Sequence, residues 1–545
     1  METTVEIADY LIEKLTAYGV KHIFGVPGDY VLGFFKKLSQ SSLQVINTSD
    51  EQGAGFAADA YARMNGLGVV CVTYGVGGLK LANTTAEAFA EKSPVLVITG
   101  APGVNERLKN PMLHHKANQF DTQKKIFEQI TVASADLSDP GTALQEIDRV
   151  LAAIFSEKRP GFIELPRDMV SVKAPRMPAR ILKEKQSDPI SLNEVLQEAI
   201  SRIEAARRPV ILVGAEIQRF GLKEQVIQLA EKTNIPMAVT ILSKSAIPET
   251  HPLYLGVYAG ALGDDTVRRY IEESDCLILL GVLLTDLDLG VFTAHLEQNK
   301  TMYATKDRIT IAHHFYEDVT MQDFLLGLVN SEVHPCHFDW VKQEPLANHA
   351  KPVPGDRKIT IERLFQLINN FLDCNTVVIS DVGDALFGAI DLVTCRAAYF
   401  LSTAYYTSLG FAVPASIAVQ LADPNLRPLV LVGDGAFQMT GMELSTAVRY
   451  HLNPIVVVLN NYGYATERPI LDGPFNDVQP WQFSLIPEII GGGKGFIVET
   501  EEQLQTALDS ARAYTAGFSI LDVRLAPDDI SPALLQLGQE LSKRA

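Results

Sequence analysis

The stretch RPLVLVGDGAFQMTGMELSTAVRYHLNPIVVVLNNYGY, residues 427 to 464, concentrates residues that could do chemistry. LVLV predicts a strand ending at Gly433-Asp434-Gly435, MELSTAVRYH a helix, and IVVVL a second strand ending at Asn460-Asn461. That order is one βαβ unit. It sets Asp434 and Asn461 at the carboxyl ends of parallel strands, where open α/β sheets bind ligands. A carboxylate, a carboxamide and a nearby backbone carbonyl are hard oxygen ligands suited to Mg²⁺, which takes further oxygens from water and phosphate. Gly433 and Gly435 let the backbone approach a diphosphate, and the helix N-terminus beyond favours anionic oxygens. A GDG on its own is most often a strand-end turn. The step of 27 residues to Asn461, with Gly463 two further on, sets this one apart.

Other ionisable residues stand in less telling company. Glu51 in NTSDEQGAGFAADAYAR opens an Ala-rich helix, where position alone makes it a match to the helix dipole. Asp29 in FGVPGDY, His114 and His115 in PMLHHKANQFD, and Glu467 in NNYGYATERPI read singly as turn and loop residues. His313-His314 has no motif around it, and His334-Pro-Cys336-His337 is too short for a zinc site. VTYGVGG, with Thr73 and Val76, imitates a dinucleotide loop but lacks the full G-x-G-x-x-G and the acid about twenty residues on.

Taken together, the GDG, the gap and the Asn pair resemble the thiamine-diphosphate-binding motif. By that resemblance Asp434, Asn461 and the carbonyl of Gly463 hold Mg²⁺ against the cofactor's diphosphate. Gly435 and Ala436 offer backbone donors, and Asp384 in SDVGDALFG contacts the diphosphate end. Leu409 in YTSLGFAVPA wedges the cofactor into a bent shape, with the Thr407 carbonyl receiving its 4′-amino group. Glu51 hydrogen-bonds the pyrimidine and drives the tautomerism that makes C2 nucleophilic, with Thr73 and Val76 flanking the ring. Asp29, His114, His115 and Glu467 match, in one chain, the acid/base complement of 2-oxo acid decarboxylases of the pyruvate, indolepyruvate and phenylpyruvate type. The implied reaction adds C2 to the 2-oxo carbon, expels CO₂, protonates the remaining carbon and releases an aldehyde. Asp29 and the His pair move the protons, and Glu467 steers the departing carboxylate. Family sites take the glutamate and the metal ligands from different subunits, so the resemblance implies a dimer or dimer of dimers.

By the same resemblance, pyruvate-specific relatives carry bulky residues where this chain has Leu386 and Thr466, so that Leu386, Phe387, Thr466 and Ile470, with a C-terminal lid carrying Leu534, Leu535 and Leu537, imply room for more than a methyl group. The tail and AFQMTGMEL are similar to phenylpyruvate- and indolepyruvate-type enzymes, and branched-chain 2-oxo acids also fit. Pyruvate decarboxylase proper is one alternative. A carboligase of the acetohydroxyacid synthase kind would lack the His114-His115 pair, and a silent thiamine binder would lack the acid/base set.

Positioning such residues requires parallel α/β layers. Short β-branched runs (HIFGV, LGVVCVTY, PVLVITG, RPVILVG, DCLILLGV, NTVVIS, RPLVLVG, PIVVVLNN) alternate with amphipathic stretches such as IADYLIEKLTAYG and AGFAADAYARMNG. The reading is α/β: three doubly wound parallel-sheet domains. They comprise a pyrimidine-binding domain over 1–175, a middle scaffold over 190–335 and a diphosphate domain over 355–545, joined by linkers at 172–189 and about 331–357. Length fits, since 545 residues suffice for three cores. Lys+Arg 47 against Asp+Glu 65 gives 47 − 65 = −18, which argues against nucleic acid or an anionic membrane as partner. Five cysteines, odd in number and without a C-x-x-C pair, predict a reducing compartment and no disulfide framework. No apolar run approaches the ~20 residues of a membrane span, and the acidic start METTVEIADYLIEKL is unlike a signal peptide. The expected location is cytoplasmic.

Overall fold

A computed structural model describes residues 4–176, 185–336, 352–396 and 399–543. Parts of both expected linkers, and His337, lie outside these residues.

The first sheet has six parallel strands in the order Gln44–Asn47, His22–Val26, Gly68–Val72, Val95–Ala101, Gly161–Pro166 and Ala133–Asp136. The last sheet has the order Phe400–Ser402, Thr376–Ser380, Arg427–Gly433, Ile455–Asn460, Ser519–Arg524 and Lys494–Val498. Numbered within each domain, both orders are 2-1-3-4-6-5, a duplication that no repeat in the residues betrays. Runs such as VVCV and VVVL are buried throughout because helices cover both faces of a parallel sheet. In each outer domain the loops after the first three strands gather at one edge. Those loops carry Asp29, Glu51 and Thr73 in one domain, and Asp384, Leu409 and Asp434 in the other.

The helices that follow the second strands, Glu51–Asn65 and Ala412–Ala422, pack on each other. Their alanines permit close approach, and Phe56 meets Phe411 edge-on at 5.9 Å. The first of these helices was expected to be amphipathic; instead residues 53–62 are all buried, because both domains cover it. Its charges are paired internally: Arg63 bonds Asp59 at 2.8 Å and Glu91 at 3.1 Å, all three buried.

The middle sheet departs from the purely parallel expectation. Five parallel strands run from Tyr254–Tyr258 to Thr301–Thr305, then Arg308–Ile311 and His314–Tyr316 add on antiparallel. Two residues, Lys306 and Asp307, cannot make a crossover, so the chain turns back as a hairpin. A second departure is a disulfide between Cys374 and Cys395, brought together where the last domain folds back after its first strand. Cys71, Cys276 and Cys336 are free and buried.

Candidate active site

Asp434 begins a helix, Asp434–Thr440, directly at the end of strand Arg427–Gly433. Its carboxylate accepts the N–H of Gly435 at 2.7 Å and of Gly463 at 3.2 Å. Burial nonetheless pushes this carboxyl up to about 6. Asn461, at the end of the neighbouring strand, buries its side-chain oxygen without any partner. An orphaned buried oxygen beside a buried carboxylate is costly unless a cation completes both. Hard oxygens of this kind fit Mg²⁺. Gly435 is needed here, since a Cβ would lie 2.6 Å from the Tyr464 ring.

These groups open onto a cavity of about 360 Å³. Asp384, Phe387, Thr407, Leu409, Gly433, Asp434, Gly435, Ala436, Asn461, Gly463, Thr466, Glu467 and Ile470 all line it. Thr407 reaches it with φ +58°, a left-handed conformation uncommon for a β-branched residue. Glu467 is exposed at the rim.

Leu386, Leu534 and Leu535 do not line the cavity, contrary to expectation. Successive helical residues diverge by about 100°, so in the single turn Asp384–Phe387 the ring of Phe387 takes the cavity side and Leu386 enters the core. Helix Pro532–Ser542 offers Leu537 and Leu541 one turn apart, while Leu534 is buried in the core and Leu535 faces solvent. Asp384 also has a partner that its motif gave no sign of. Both its oxygens accept the Ser531 N–H at 3.1 Å, and Ser531 caps that same C-terminal helix. Burial pushes Asp384 up to about 6. The middle domain, read as pure scaffold, contributes Asp286 and Leu287 to the wall.

The residues expected around the pyrimidine gather elsewhere. Thr73 follows strand Gly68–Val72, its hydroxyl buried and unpartnered, and packs so tightly on Gly28 that a Cβ there would sit 2.4 Å away. Glu51 lies beside Gly77 and pairs with Lys80 at 2.9 Å. Val76 is 54% exposed. His114 donates its Nε2–H to the Asp29 carboxylate at 2.7 Å and stacks on Tyr30 at 4.8 Å between ring centres, with His115 edge-on at 4.9 Å. Burial is the strongest single influence on Asp29 and works to raise it, but the His114 hydrogen bond, the charges of His114 and His115 and the Tyr30 N–H together hold the carboxyl below its usual value. Asp29, His114 and His115 thus form one cluster, while His313 and His314 make surface contacts to Asn299 and Glu198.

Two buried acids hold these residues in place, and no motif announced either. Glu443 accepts the Ser49 and Asp50 N–H groups at 3.0 Å each and the Thr446 hydroxyl at 2.9 Å, fixing the turn before Glu51. Gly53 is required beside it, for a Cβ would lie 2.3 Å from its oxygen. Glu164 accepts from Gln123 at 3.0 Å, and Gln123 in turn accepts the Gly75 N–H at 2.8 Å. Burial, then the charge of Asp136, pushes Glu164 up to about 8.

Among the described residues, neither Glu51, Thr73, Val76, Asp29 nor the His pair lines the cavity of the same chain. Two groups of polar residues therefore stand apart within the chain: the oxygen-rich cavity around Asp434 and Asn461, and the cluster of Asp29, His114 and His115.

All three domains of the thiamine pyrophosphate enzymes match the chain: the N-terminal TPP binding domain over residues 5–126, the central domain over 196–324 and the C-terminal TPP binding domain over 381–523. Within that class the chain belongs to the thiamine-diphosphate-dependent 2-oxo acid decarboxylases. It is 34% identical to an indole-3-pyruvate decarboxylase of Azospirillum brasilense, with 98% of each chain covered. It is 30% identical to an alpha-keto-acid decarboxylase of Mycolicibacterium paratuberculosis, over 99% of this chain and 97% of that one. Pyruvate decarboxylase isozyme 3 of Saccharomyces cerevisiae is also 30% identical, over 98% of both.

Proposed function

We propose that this enzyme decarboxylates a 2-oxo acid with a bulky aromatic or branched side chain, without oxidation, to the aldehyde and CO₂. The observation that carries the reading is the composition of the cavity wall. Beside the cation and diphosphate groups stand Phe387, Ile470, Leu287, Leu537 and Leu541, an apolar surface broken by Thr466 and Glu467. Such a wall suits an apolar side chain larger than methyl and excludes water from the reacting carbon.

Asp434, Asn461 and the Gly463 carbonyl would hold Mg²⁺, with Gly435 and Ala436 facing the diphosphate. Asp384 reaches this end of the cavity while holding Ser531. The bound cofactor supplies a nucleophilic carbon that accepts the electrons left behind by CO₂. Glu51 would hydrogen-bond the pyrimidine ring and hold a proton for it, with Thr73 and Val76 beside the ring and Leu409 and Thr407 supporting the cofactor between its two ends. His114, oriented by Asp29, and His115 deliver and remove protons. Glu467 orients the substrate carboxylate.

The complete site is proposed to form between two chains, as a dimer or dimer of dimers. Val76, Met439, Met442, Tyr405 and Tyr406 support this, being exposed apolar side chains on the elements that carry the two half-sites. A net charge of −18 speaks against nucleic acid as partner. Among the described residues no helix is long and apolar enough to cross a membrane. The proposed compartment is the cytoplasm.

The test of function is aldehyde release from phenylpyruvate, indolepyruvate, 2-oxoisovalerate and pyruvate with Mg²⁺ and thiamine diphosphate. Higher kcat/KM for any of the first three than for pyruvate supports the reading. A preference for pyruvate, or acetohydroxy acid as the main product, contradicts it.

A further inference from the structure

Asp381 sits between strand Thr376–Ser380 and the turn that starts at Asp384. It is fully buried, and no basic side chain pairs with it among the described residues. Its charge is met by backbone alone. One oxygen accepts the Val382 and Gly410 N–H groups, both at 3.1 Å; the other accepts Gly410 at 3.1 Å and Ala412 at 3.0 Å. Gly410 has φ +93°, and its carbonyl accepts the Thr440 hydroxyl at 2.6 Å. Thr440 closes the helix that Asp434 begins. The peptides on either side of Gly410 are thus pinned from both ends, one by Asp381 and one by the metal-motif helix, immediately after Leu409.

We propose that Asp381 is a positioning residue that sets the Leu409 wedge, and so the bend of bound thiamine diphosphate. The inference rests on the cofactor reading given above. A carboxylate is the right group because one acceptor pair must satisfy converging N–H donors in a dry site. Asparagine has nearly the same shape but offers one oxygen and turns an NH₂ toward those donors. The far end of the arch is held independently, since Glu91 accepts the Tyr405 and Tyr406 N–H groups at 2.8 and 3.0 Å. Loss of Asp381 therefore moves the wedge and leaves the rest of the arch anchored.

The test uses full-length Asp381→Asn and Thr440→Val with Mg²⁺ and thiamine diphosphate, and no 2-oxo acid. Calorimetry gives cofactor affinity; acid quench and proton NMR give the rate of hydrogen–deuterium exchange at C2 of the bound cofactor. Asp381→Asn is expected to slow exchange roughly 10- to 100-fold, the scale of an ångström-sized misplacement, while affinity changes much less. Thr440→Val, which removes only the second tether, is expected to slow it to a smaller extent and serves alone should Asp381→Asn not fold. Exchange at the wild-type rate in the folded variants overturns the inference. Failure of the wild-type protein itself to bind the cofactor or accelerate C2 exchange overturns the cofactor reading instead.

Discussion

Replacing Glu443 by alanine should unfasten the turn that carries Glu51. The carboxylate holds two backbone N–H groups at 3.0 Å and one hydroxyl at 2.9 Å while only 2% exposed. Hydrogen bonds to a charged group contribute about 1.5–3 kcal/mol each, so the two N–H contacts amount to about 3–6 kcal/mol. Removing a buried carboxylate also removes its desolvation cost, which has raised its pKa, and offsets part of that loss. A net local loss of about 2–4 kcal/mol corresponds to amide exchange faster by roughly 30- to 1,000-fold. The assay is hydrogen exchange by mass spectrometry on peptides spanning residues 47–56, with the helix Ala412–Ala422 as internal reference. Glu443→Gln keeps one oxygen for both N–H groups and should stay within about tenfold of wild type. Exchange in the alanine variant within about threefold of wild type would refute the reasoning. Equal effects of alanine and glutamine would show that charge, not the hydrogen bonds, holds the turn.

Glu164 is raised to about 8, so between its ordinary value of 4.5 and 8 the folded chain keeps a proton that the unfolded chain has released. This group therefore lowers stability as pH rises through that window, by at most about 1.4 kcal/mol per pH unit. Glu164→Gln should flatten the fall of the unfolding temperature between pH 5 and 8, and parallel curves for both proteins would disprove it. Asn461→Ala should weaken cofactor binding in Mg²⁺ by about tenfold or more, as loss of a metal ligand or its support does; calorimetry giving an unchanged affinity would remove Asn461 from the metal set. Glu467→Gln should lower kcat for CO₂ release by about 100-fold, the scale of one lost acid/base group, while cofactor affinity holds; normal turnover would strip Glu467 of its role. Leu537→Phe should raise KM for phenylpyruvate more than for pyruvate, and an equal effect on both would place Leu537 away from the substrate side chain.

The residues at strand ends were legible in the sequence because the ligand set is local. Asp434 and Asn461 are fixed by one βαβ unit, and the same local logic brought Leu409, Thr466 and Glu467 to the cavity. What escaped depends on contacts between distant segments. Glu443 acts through backbone N–H groups and Glu164 through the side-chain amide of Gln123, which in turn accepts a backbone N–H, and such contacts leave no mark on the sequence that receives them. Leu386 and Phe387 are adjacent and both apolar, and only the orientation of a single helical turn separates the core residue from the cavity residue. Leu287 reaches the cavity because the middle domain packs over it, which periodicity within that domain cannot reveal. The burial of Asp59, Arg63 and Glu91 follows from two domains closing over one Ala-rich helix whose charges, read alone, suggested a solvent face.

The central claim is that each active site takes Glu51 from one chain and Asp434 from another. Co-expression of differently tagged Glu51→Gln and Asp434→Ala chains tests it directly. Each variant alone should be inactive, whereas mixed dimers restore one intact site of two, giving about a quarter of wild-type decarboxylation when pairing is random. Purified mixed dimers that remain as inactive as their parents would contradict the account.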